Sequence, residues 1–439
     1  VLLGSALRLF NLNYQSLWYD ELHSIIPTDP DFTVNSIVEY AKTDQPPLFF
    51  LYLHVFFKVF GYSEQMARLA SAVIGILGIP AVYFLGKEIK DKQVGLFASL
   101  LTCVNYYQLY YSQEVRFYGL AFLLSTLSFL FFIRVFKQQT FTNGFFYIIA
   151  TSALLYTHYY GIVIFVTQFI IFIVLTFYKR DRQFIYSGLV CGIIVAISFI
   201  PWLPTVLQDS HIQSFWIKKP DVFFLARYFY DYVGKDLVSS IIFLVLGVLF
   251  LLEWRRAVDF DKSVLGIVAG WIVLSYLIPY LKSIVGTPLL YVRYTIVTLP
   301  AWFILLAVGW RYINHHLLRT AALSIILFSS LLNLTWRINF YYRIEKSQYR
   351  EITQLVKDKN TNELPVLSAF SWHFNFYFRN YRYKVAQLPA QNFPTKFWLL
   401  QSHSPIEMSK ELNNLKKDFQ VKESINLYQT NAYLLQAKE

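Results

Sequence analysis

Five short polar stretches interrupt a mostly apolar sequence, and each holds residue types that do chemistry. Asp20-Glu21 follows the aromatic run Leu17-Trp18-Tyr19. A carboxylate there can take a proton from a hydroxyl acceptor as general base, or can simply end a helix. Asp44-Gln45-Pro46-Pro47 opens an apolar run. Proline suits a helix's first turn, and aspartate just before it suits the cap and the dipole. Asp44 is equally placed to bind a divalent cation or to orient a substrate. Tyr111-Ser112-Gln113-Glu114-Val115-Arg116-Phe117-Tyr118 puts Glu114 and Arg116 between two apolar runs, where charge is expensive unless paired or wet. Arginine's planar fork donates two hydrogen bonds at once to a phosphate, but the same residue can snorkel to lipid headgroups. His158, in Thr157-His158-Tyr159-Tyr160-Gly161, is a helix-end residue or a metal ligand. Arg293-Tyr294 opens a further run after Pro288 as an interfacial anchor or a ligand contact. Arg8, Arg68 and His54 fall near the same stretches and can orient the others.

The elements that must position these residues follow from composition. Of 439 residues, 56% are hydrophobic and only 15% are Asp, Glu, Lys or Arg. A soluble domain carries about 25% charged residues, so an ordinary soluble enzyme, a coiled coil and a disordered chain are excluded. The 41 Phe, 33 Tyr and 10 Trp suit many membrane–water interfaces. This is the composition of a polytopic membrane protein. The net charge of +12 belongs to short loops between apolar runs, which makes it a topology signal and not a nucleic-acid-binding one. Cys103 and Cys191 both lie inside apolar runs and give neither a disulfide framework nor metal-ligand spacing.

Runs able to span a bilayer are expected near 65–86, 94–112, 117–136, 143–160, 161–178, 184–207, 237–253, 264–281, 291–310 and 319–336. The apolar residues before Asn11 look like the outer part of a first span whose beginning is missing, giving about eleven spans in all. Leu48–Phe60 is short for a span and suits an interfacial helix. With that helix on the outer surface, one set of loops holds Lys87, Lys90 and Lys92; Arg134 and Lys137; Lys179, Arg180 and Arg182; Arg255, Arg256 and Lys262; and Arg311 and Arg319. All are basic, as cytoplasmic loops should be. The chemically suggestive stretches then share the outer face.

Domain 1–340 is thus expected to be the membrane domain, and 341–439 a small soluble α/β domain on the outer side. In the latter, strands are expected at Pro365–Phe370, Lys384–Leu388, Phe397–Gln401 and Ala432–Gln436, with helices at Gln348–Lys359 and Ile406–Phe419.

The order Arg8, Leu17-Trp18, Asp20-Glu21, Gln45-Pro46-Pro47-Leu48, Phe60-Gly61, Arg68-Leu69-Ala70-Ser71, Tyr111-Ser112-Gln113-Glu114, Arg116, Tyr118, Thr157-His158-Tyr159 and Arg293-Tyr294 resembles the GT-C glycosyltransferases. The similarity is to the protein O-mannosyltransferase-like class (family 39) and, more distantly, to the lipid A aminoarabinose transferases. It covers roughly residues 1–310. It implies a GT-C-like fold of about eleven transmembrane helices with outer juxtamembrane helices. It also implies an inverting transferase using a polyprenyl-phosphate-linked sugar donor at the periplasmic or outer face, with a glycan, lipid or protein acceptor. By position, Asp20 is the implied catalytic carboxylate and Glu21 its neighbour. Arg116, Arg293, Tyr294 and Arg68 are the expected contacts to donor phosphate, while Glu114, Gln113, Tyr118, Arg8 and His54 are expected to orient substrate. Asp44 and His158 are the candidates for an optional divalent metal ion. Family members often carry His before the paired prolines, where this chain has Gln45. The competing expectation is a polyprenyl-lipid flippase or transporter, but transporters place ionisable groups near the bilayer midplane, and these span centres are nearly free of charge. A bacterial inner membrane is expected because the large lumenal insertions of eukaryotic O-mannosyltransferases are absent.

Overall fold

The computed structural model describes residues 1–209, 217–379, 381, 383–389, 391–402 and 405–438. The chain divides into two units. The first comprises Val1–Phe10, Thr33–Tyr52 and Leu69–Phe340; the second comprises Asn11–Phe32, Leu53–Arg68 and Tyr341–Glu439.

In chain order the helices are α1 (Leu2–Leu9), α2 (Tyr19–Ile25), α3 (Val34–Ala41), α4 (Leu48–Phe60), α5 (Glu64–Ile89), α6 (Lys92–Val104) and α7 (Tyr106–Gln113). Then come α8 (Tyr118–Lys137), α9 (Phe141–Leu155), α10 (Tyr160–Lys179), α11 (Arg182–Phe199), α12 (Leu203–Asp209), α13 (Phe224–Tyr232), α14 (Leu237–Arg256) and α15 (Asp259–Val285). The last are α16 (Leu299–Tyr312), α17 (His316–Leu332), α18 (Tyr349–Lys359), α19 (Ser371–Phe378) and α20 (Pro405–Leu415). Among the described residues, eight stretches are long and apolar enough to cross a bilayer: Glu64–Ile89, Tyr118–Lys137, Tyr160–Lys179, Arg182–Gln208, Leu237–Arg256, Asp261–Val285, Val292–Tyr312 and His316–Arg337. Three shorter apolar helices, α4, α6 and α9, accompany them. The protein is a largely helical, polytopic membrane protein with a β-containing C-terminal region.

Two expected spans are shorter than the hydropathy suggests, each for a local reason. The run 94–112 breaks at Asn105, whose backbone leaves the helical region at ψ 122° and whose side chain accepts the Gln108 N–H at 3.0 Å, capping α7. The run 143–160 stops at Leu155, where Thr157 and His158 N–H both return to the Leu154 carbonyl in a turn. The run 291–310 is entered through a 3₁₀ segment, Val292–Thr298, before Pro300 starts α16 in its first turn.

Helices of the first unit meet through small residues and satisfied polar groups. A β-carbon on Gly75 of α5 would lie 2.3 Å from Ser112 Oγ and 3.2 Å from its backbone Cα, so only glycine lets α5 and α7 approach this closely. A buried network joins α8, α9 and α10: Tyr147 donates to Gln168 (3.1 Å), which donates to Ser128 (2.8 Å), itself bonded to Thr151 (2.8 Å). The basic loops also pair together. Arg134 and Lys137 reach Glu88, Lys90 reaches Glu253, and Arg311 reaches Asp91. Loops distant in sequence therefore share one end of the helical bundle.

The second unit contains one five-stranded sheet of order β2-β1-β3-β5-β4, with β1 (Val366–Ser368), β2 (Ala386–Gln387), β3 (Lys396–Ser402), β4 (Phe419–Leu427) and β5 (Thr430–Ala437). β1 is parallel to β2 and β3, whereas β3–β5 and β4–β5 are antiparallel. Leu367, Phe397, Leu399, Leu412, Leu415, Phe419 and Leu435 form a core. β4 was not expected, because Gln420-Val421-Lys422-Glu423-Ser424 alternates with charge and lies half in solvent. Helix α20 accordingly stops at Leu415, short of Phe419, which opens β4.

Candidate active site

In the first unit, two turns from distant parts of the chain are stitched together. Leu48 N–H donates to the Tyr156 carbonyl at 2.9 Å, and Tyr159 N–H donates to Gln45 Oε1 at 3.4 Å. Gln45 thus holds the Asp44–Pro47 turn against the His158 turn. Asp44 takes Arg116 in a two-point ion pair, Nη1 to Oδ2 at 3.0 Å and Nη2 to Oδ1 at 3.3 Å. Arg116 is buried, with its guanidinium 4.5 Å from the centre of the Phe117 ring. Glu114, also buried, bends the chain here by accepting the Arg116 N–H on its carbonyl at 2.8 Å.

His158 sits among the rings of Phe117 (4.8 Å), Tyr294 (4.8 Å) and Tyr118 (6.1 Å). Its Nδ1 accepts the Tyr160 N–H at 2.9 Å, which leaves Nε2 as the protonated nitrogen of a neutral ring. Burial, then the positive charges of Arg116 and Arg293, push its pKa down to about 3. Arg293 is held by aromatic faces, with Tyr291 at 5.3 Å, Tyr118 at 5.7 Å and Tyr294 at 5.9 Å. Two arginines therefore converge on one histidine at the end of the helical unit where Asp44 and Glu114 also lie.

The segment carrying Arg293 is linked through Tyr232 to one wall of a large apolar cavity. Tyr232 bonds Tyr276 at 2.7 Å and also Thr295, two residues beyond Arg293, and Trp302 Nε1 donates to Tyr276 at 3.1 Å. Tyr276 and Trp302, with Phe229, Phe243, Leu251 and Leu305, line a cavity of about 970 Å³ between α13, α14, α15 and α16.

Arg8 and Gln113 act on the same turn from behind. Arg8 is fully buried and donates to Ser112 Oγ (3.2 Å) and to the carbonyls of Gly4, Thr102 and Cys103. Gln113 Nε2 returns to the Arg8 carbonyl at 3.0 Å. Both lock α1 to the end of α7.

In the second unit, helix α2 separates its two carboxylates. Glu21 is fully buried, accepting from Arg68 at 3.2 Å, from Lys346 at 2.8 Å and from the Trp18 N–H at 3.3 Å. Asp20, one residue earlier, is partly exposed. Arg68, expected to grip phosphate, instead gives Nη1 to the carbonyls of Leu12 and Gln15 at 2.7 Å each, and Nη2 to Ser16 at 3.0 Å and to Glu21. It clamps the loop before α2. His54 is buried and its Nδ1 contacts the Asp29 carbonyl at 3.1 Å.

The expected residues thus fall into two sets. Asp44, Gln113, Glu114, Arg116, Tyr118, His158, Arg293, Tyr294 and Arg8 lie in the first unit, whereas Asp20, Glu21, His54 and Arg68 lie in the second. Lys346 and Tyr291 were not anticipated. Tyr291 was legible as an aromatic flank of Arg293, while no local signal pairs Lys346 with Glu21. The expected metal ligands do not form a metal site. Asp44 is engaged by Arg116, His158 lies beside two guanidinium charges, and the described residues contain no group of three His, Cys, Asp or Glu able to hold an ion.

Residues 44–204 match the model of the dolichyl-phosphate-mannose-protein mannosyltransferase family. They contain the Asp44 turn, Arg116 and His158. Over that stretch the chain is similar to these membrane mannosyltransferases. Solved structures share this fold at low identity. ArnT from Cupriavidus metallidurans superposes with a TM-score of 0.67 at 12% identity, over 98% of this chain and 96% of that one. The same protein bound to undecaprenyl phosphate gives the same score over 99% and 96%. The Archaeoglobus fulgidus oligosaccharyltransferase complexed with Zn and sulfate gives 0.56 at 11% identity, over 86% of this chain and 60% of that one. No curated protein sequence matches the chain.

Proposed function

We propose that the protein is an inverting glycosyltransferase that moves a sugar from a polyprenyl-phosphate donor to a hydroxyl of an acceptor at the outer face of a bacterial inner membrane. The observation that carries this is the convergence of Arg116 and Arg293, through the rings of Phe117 and Tyr294, on His158, with the Arg293 segment linked through Tyr232 to Tyr276 in the wall of the apolar cavity. An anionic head at the end of a long apolar tail needs that combination. The bound undecaprenyl phosphate of the similarly folded ArnT supports the donor class.

The acceptor oxygen attacks the anomeric carbon from the face opposite the phosphate. The bond from that carbon to the phosphate oxygen breaks, and the lipid phosphate leaves as an anion. Arg116 and Arg293 stabilise the charge that develops on it, which is worth most in a water-poor site. Asp44 orients Arg116 and keeps its fork aligned. His158 stays neutral and adds no competing positive charge. Asp20, the partly exposed member of its pair, takes the proton from the acceptor hydroxyl. A stable phosphate leaving group needs no acid to protonate it, so one carboxylate suffices. No step is assigned to a metal ion, because Asp44 and His158 do not fit one.

The outer placement rests on the basic loops, whose side chains pair with one another at one end of the bundle and by their charge belong to the cytoplasm. A transport role would place ionisable groups near span centres, whereas these cluster at helix ends.

The test supplies radiolabelled polyprenyl-phosphate sugars and a crude acceptor extract to the purified protein in lipid, and follows release of lipid phosphate. Wild type should turn over and a folded Asp20→Asn protein should not. Equal turnover in both removes Asp20 from the mechanism. Lipid binding without turnover, or lipid movement that survives Asp20→Asn, favours the flippase.

A further inference from the structure

Helix α2 carries more than Asp20. Tyr19, the residue before it, stacks on His373 of α19 with ring centres 4.7 Å apart and planes inclined by 24°, and meets Phe370 edge-on at 6.0 Å. His23, one turn on, lies 4.6 Å from Tyr19, 4.9 Å from His373 and 5.4 Å from Trp372. These groups belong to one unit. His373 is buried in the middle, but Tyr19, His23 and Phe370 are only partly covered, and Trp372 is 40% exposed.

Phe370 has a second role. With Ala369 and Met408 it forms the apolar side of a cavity of about 350 Å³, whose other walls are Ser402, Lys410, Glu411 and Asn414. Large aromatic side chains held half-exposed normally mark a binding surface, because burying them in the domain's own core would be cheaper. Here aromatic faces stand beside a row of hydroxyl, ammonium, carboxylate and amide groups. A sugar ring has both complementary features: an axial C–H face for the aromatic rings and a rim of hydroxyls that donate and accept. An isoprenoid or acyl chain would leave those polar walls unpaired, which costs binding energy.

We propose that Tyr19, Phe370 and Trp372, together with the cavity beside Phe370, form the acceptor subsite, and that the acceptor is a carbohydrate with one pyranose ring stacked on these aromatic faces. The assignment rests on the transferase reading, since it is Asp20, adjacent to Tyr19, that takes the acceptor's proton.

Two measurements on the full-length protein in lipid test the platform separately from the reaction. In the transfer assay, periodate treatment of the acceptor extract, which destroys sugar diols, should abolish acceptor activity, and protease treatment should leave it. Trp372→Ala should raise the apparent KM for acceptor about tenfold while leaving the KM for donor unchanged, and Trp372→Tyr should restore most of the loss. An acceptor destroyed by protease and resistant to periodate, or an acceptor KM unmoved by Trp372→Ala, overturns the proposal. If no donor is turned over, the transferase reading fails, and saturation-transfer NMR with chitotriose and mannotriose still decides the platform. Saturation of either saccharide that is lost in Trp372→Ala supports it, and saturation of neither, or saturation unaffected by the substitution, overturns it.

Discussion

Substituting the neighbouring carboxylates of α2 one at a time separates chemistry from architecture. Glu21 is fully buried between Arg68 and Lys346, at 3.2 and 2.8 Å. Glu21→Gln keeps the shape but removes the charge that offsets two buried cations. Deleting one partner of a buried ion pair costs about 3–5 kcal/mol. Arg68 retains the carbonyls of Leu12, Gln15 and Ser16, so the lower end, about 3 kcal/mol, is expected. Asp20 is partly exposed, and Asp20→Asn should change stability by about 0.5 kcal/mol or less. The assay is thermal unfolding in lipid followed by tryptophan fluorescence, with lipid-phosphate release measured on the same preparations. Glu21→Gln should melt several degrees lower and become more susceptible to protease within 341–439, with turnover per folded molecule retained. Asp20→Asn should melt like wild type and lose turnover. A Glu21→Gln protein of unchanged stability that has lost turnover would refute the division of labour.

Three other perturbations probe the first unit. His158 is held neutral with a pKa of about 3, against about 6.5 when unfolded, so the unfolded chain binds the extra proton between those values. Its stability contribution is complete above pH 6.5 and falls as pH drops toward 3, by about 2 kcal/mol at pH 5; His158→Asn, which keeps an acceptor near Nδ1, should flatten that part of the pH–melting curve. Arg293→Lys keeps the charge but loses the planar fork, and should raise the donor KM about tenfold with little change in unfolding temperature; an unaltered donor KM removes Arg293 from phosphate binding. Gly75→Val drives a side chain into Ser112, the hydroxyl that accepts from Arg8, and should cost about 1–3 kcal/mol or prevent folding, read as lost yield or a lowered melting point.

What the sequence revealed here follows from what hydropathy measures. It marks where apolar runs stop, so it finds residues that share a depth. Asp44, Glu114, Arg116, His158 and Arg293 were legible as one group because each ends or opens a run. Leu48–Phe60 was delimited to the residue, since a polar turn and a glycine frame it. Asn105 leaves no break in the hydropathy, because one polar side chain barely changes the average over a window yet can cap a new helix. β4 escaped for the opposite reason: half of its residues face water, and alternating charge resembles a loop. Partner choice was least legible. Asp44 and Arg116 are 72 positions apart, Glu21 and Lys346 are 325 apart, and nothing local to either residue names the other.

The contrast between Arg68 and Arg293 shows why depth alone does not assign a role. Both stand at the start of apolar runs, and both were expected at the phosphate. Arg68 is enclosed by carbonyls of the loop before α2, so its N–H groups already satisfy backbone oxygens that would otherwise be buried without donors. A phosphate could recruit it only by stripping those carbonyls, each at a cost of about 1–3 kcal/mol. Tyr118, Tyr291 and Tyr294 surround the Arg293 guanidinium, and an aromatic ring attracts the cation through its face, whereas a phosphate is bound through N–H groups in the guanidinium plane. The two demands on Arg293 are therefore compatible, and those on Arg68 are not. Arg68→Lys should consequently lower stability and leave donor affinity intact in the fraction that folds, the reverse of Arg293→Lys, and a pair of variants that both lose donor affinity at constant stability would put Arg68 back at the phosphate.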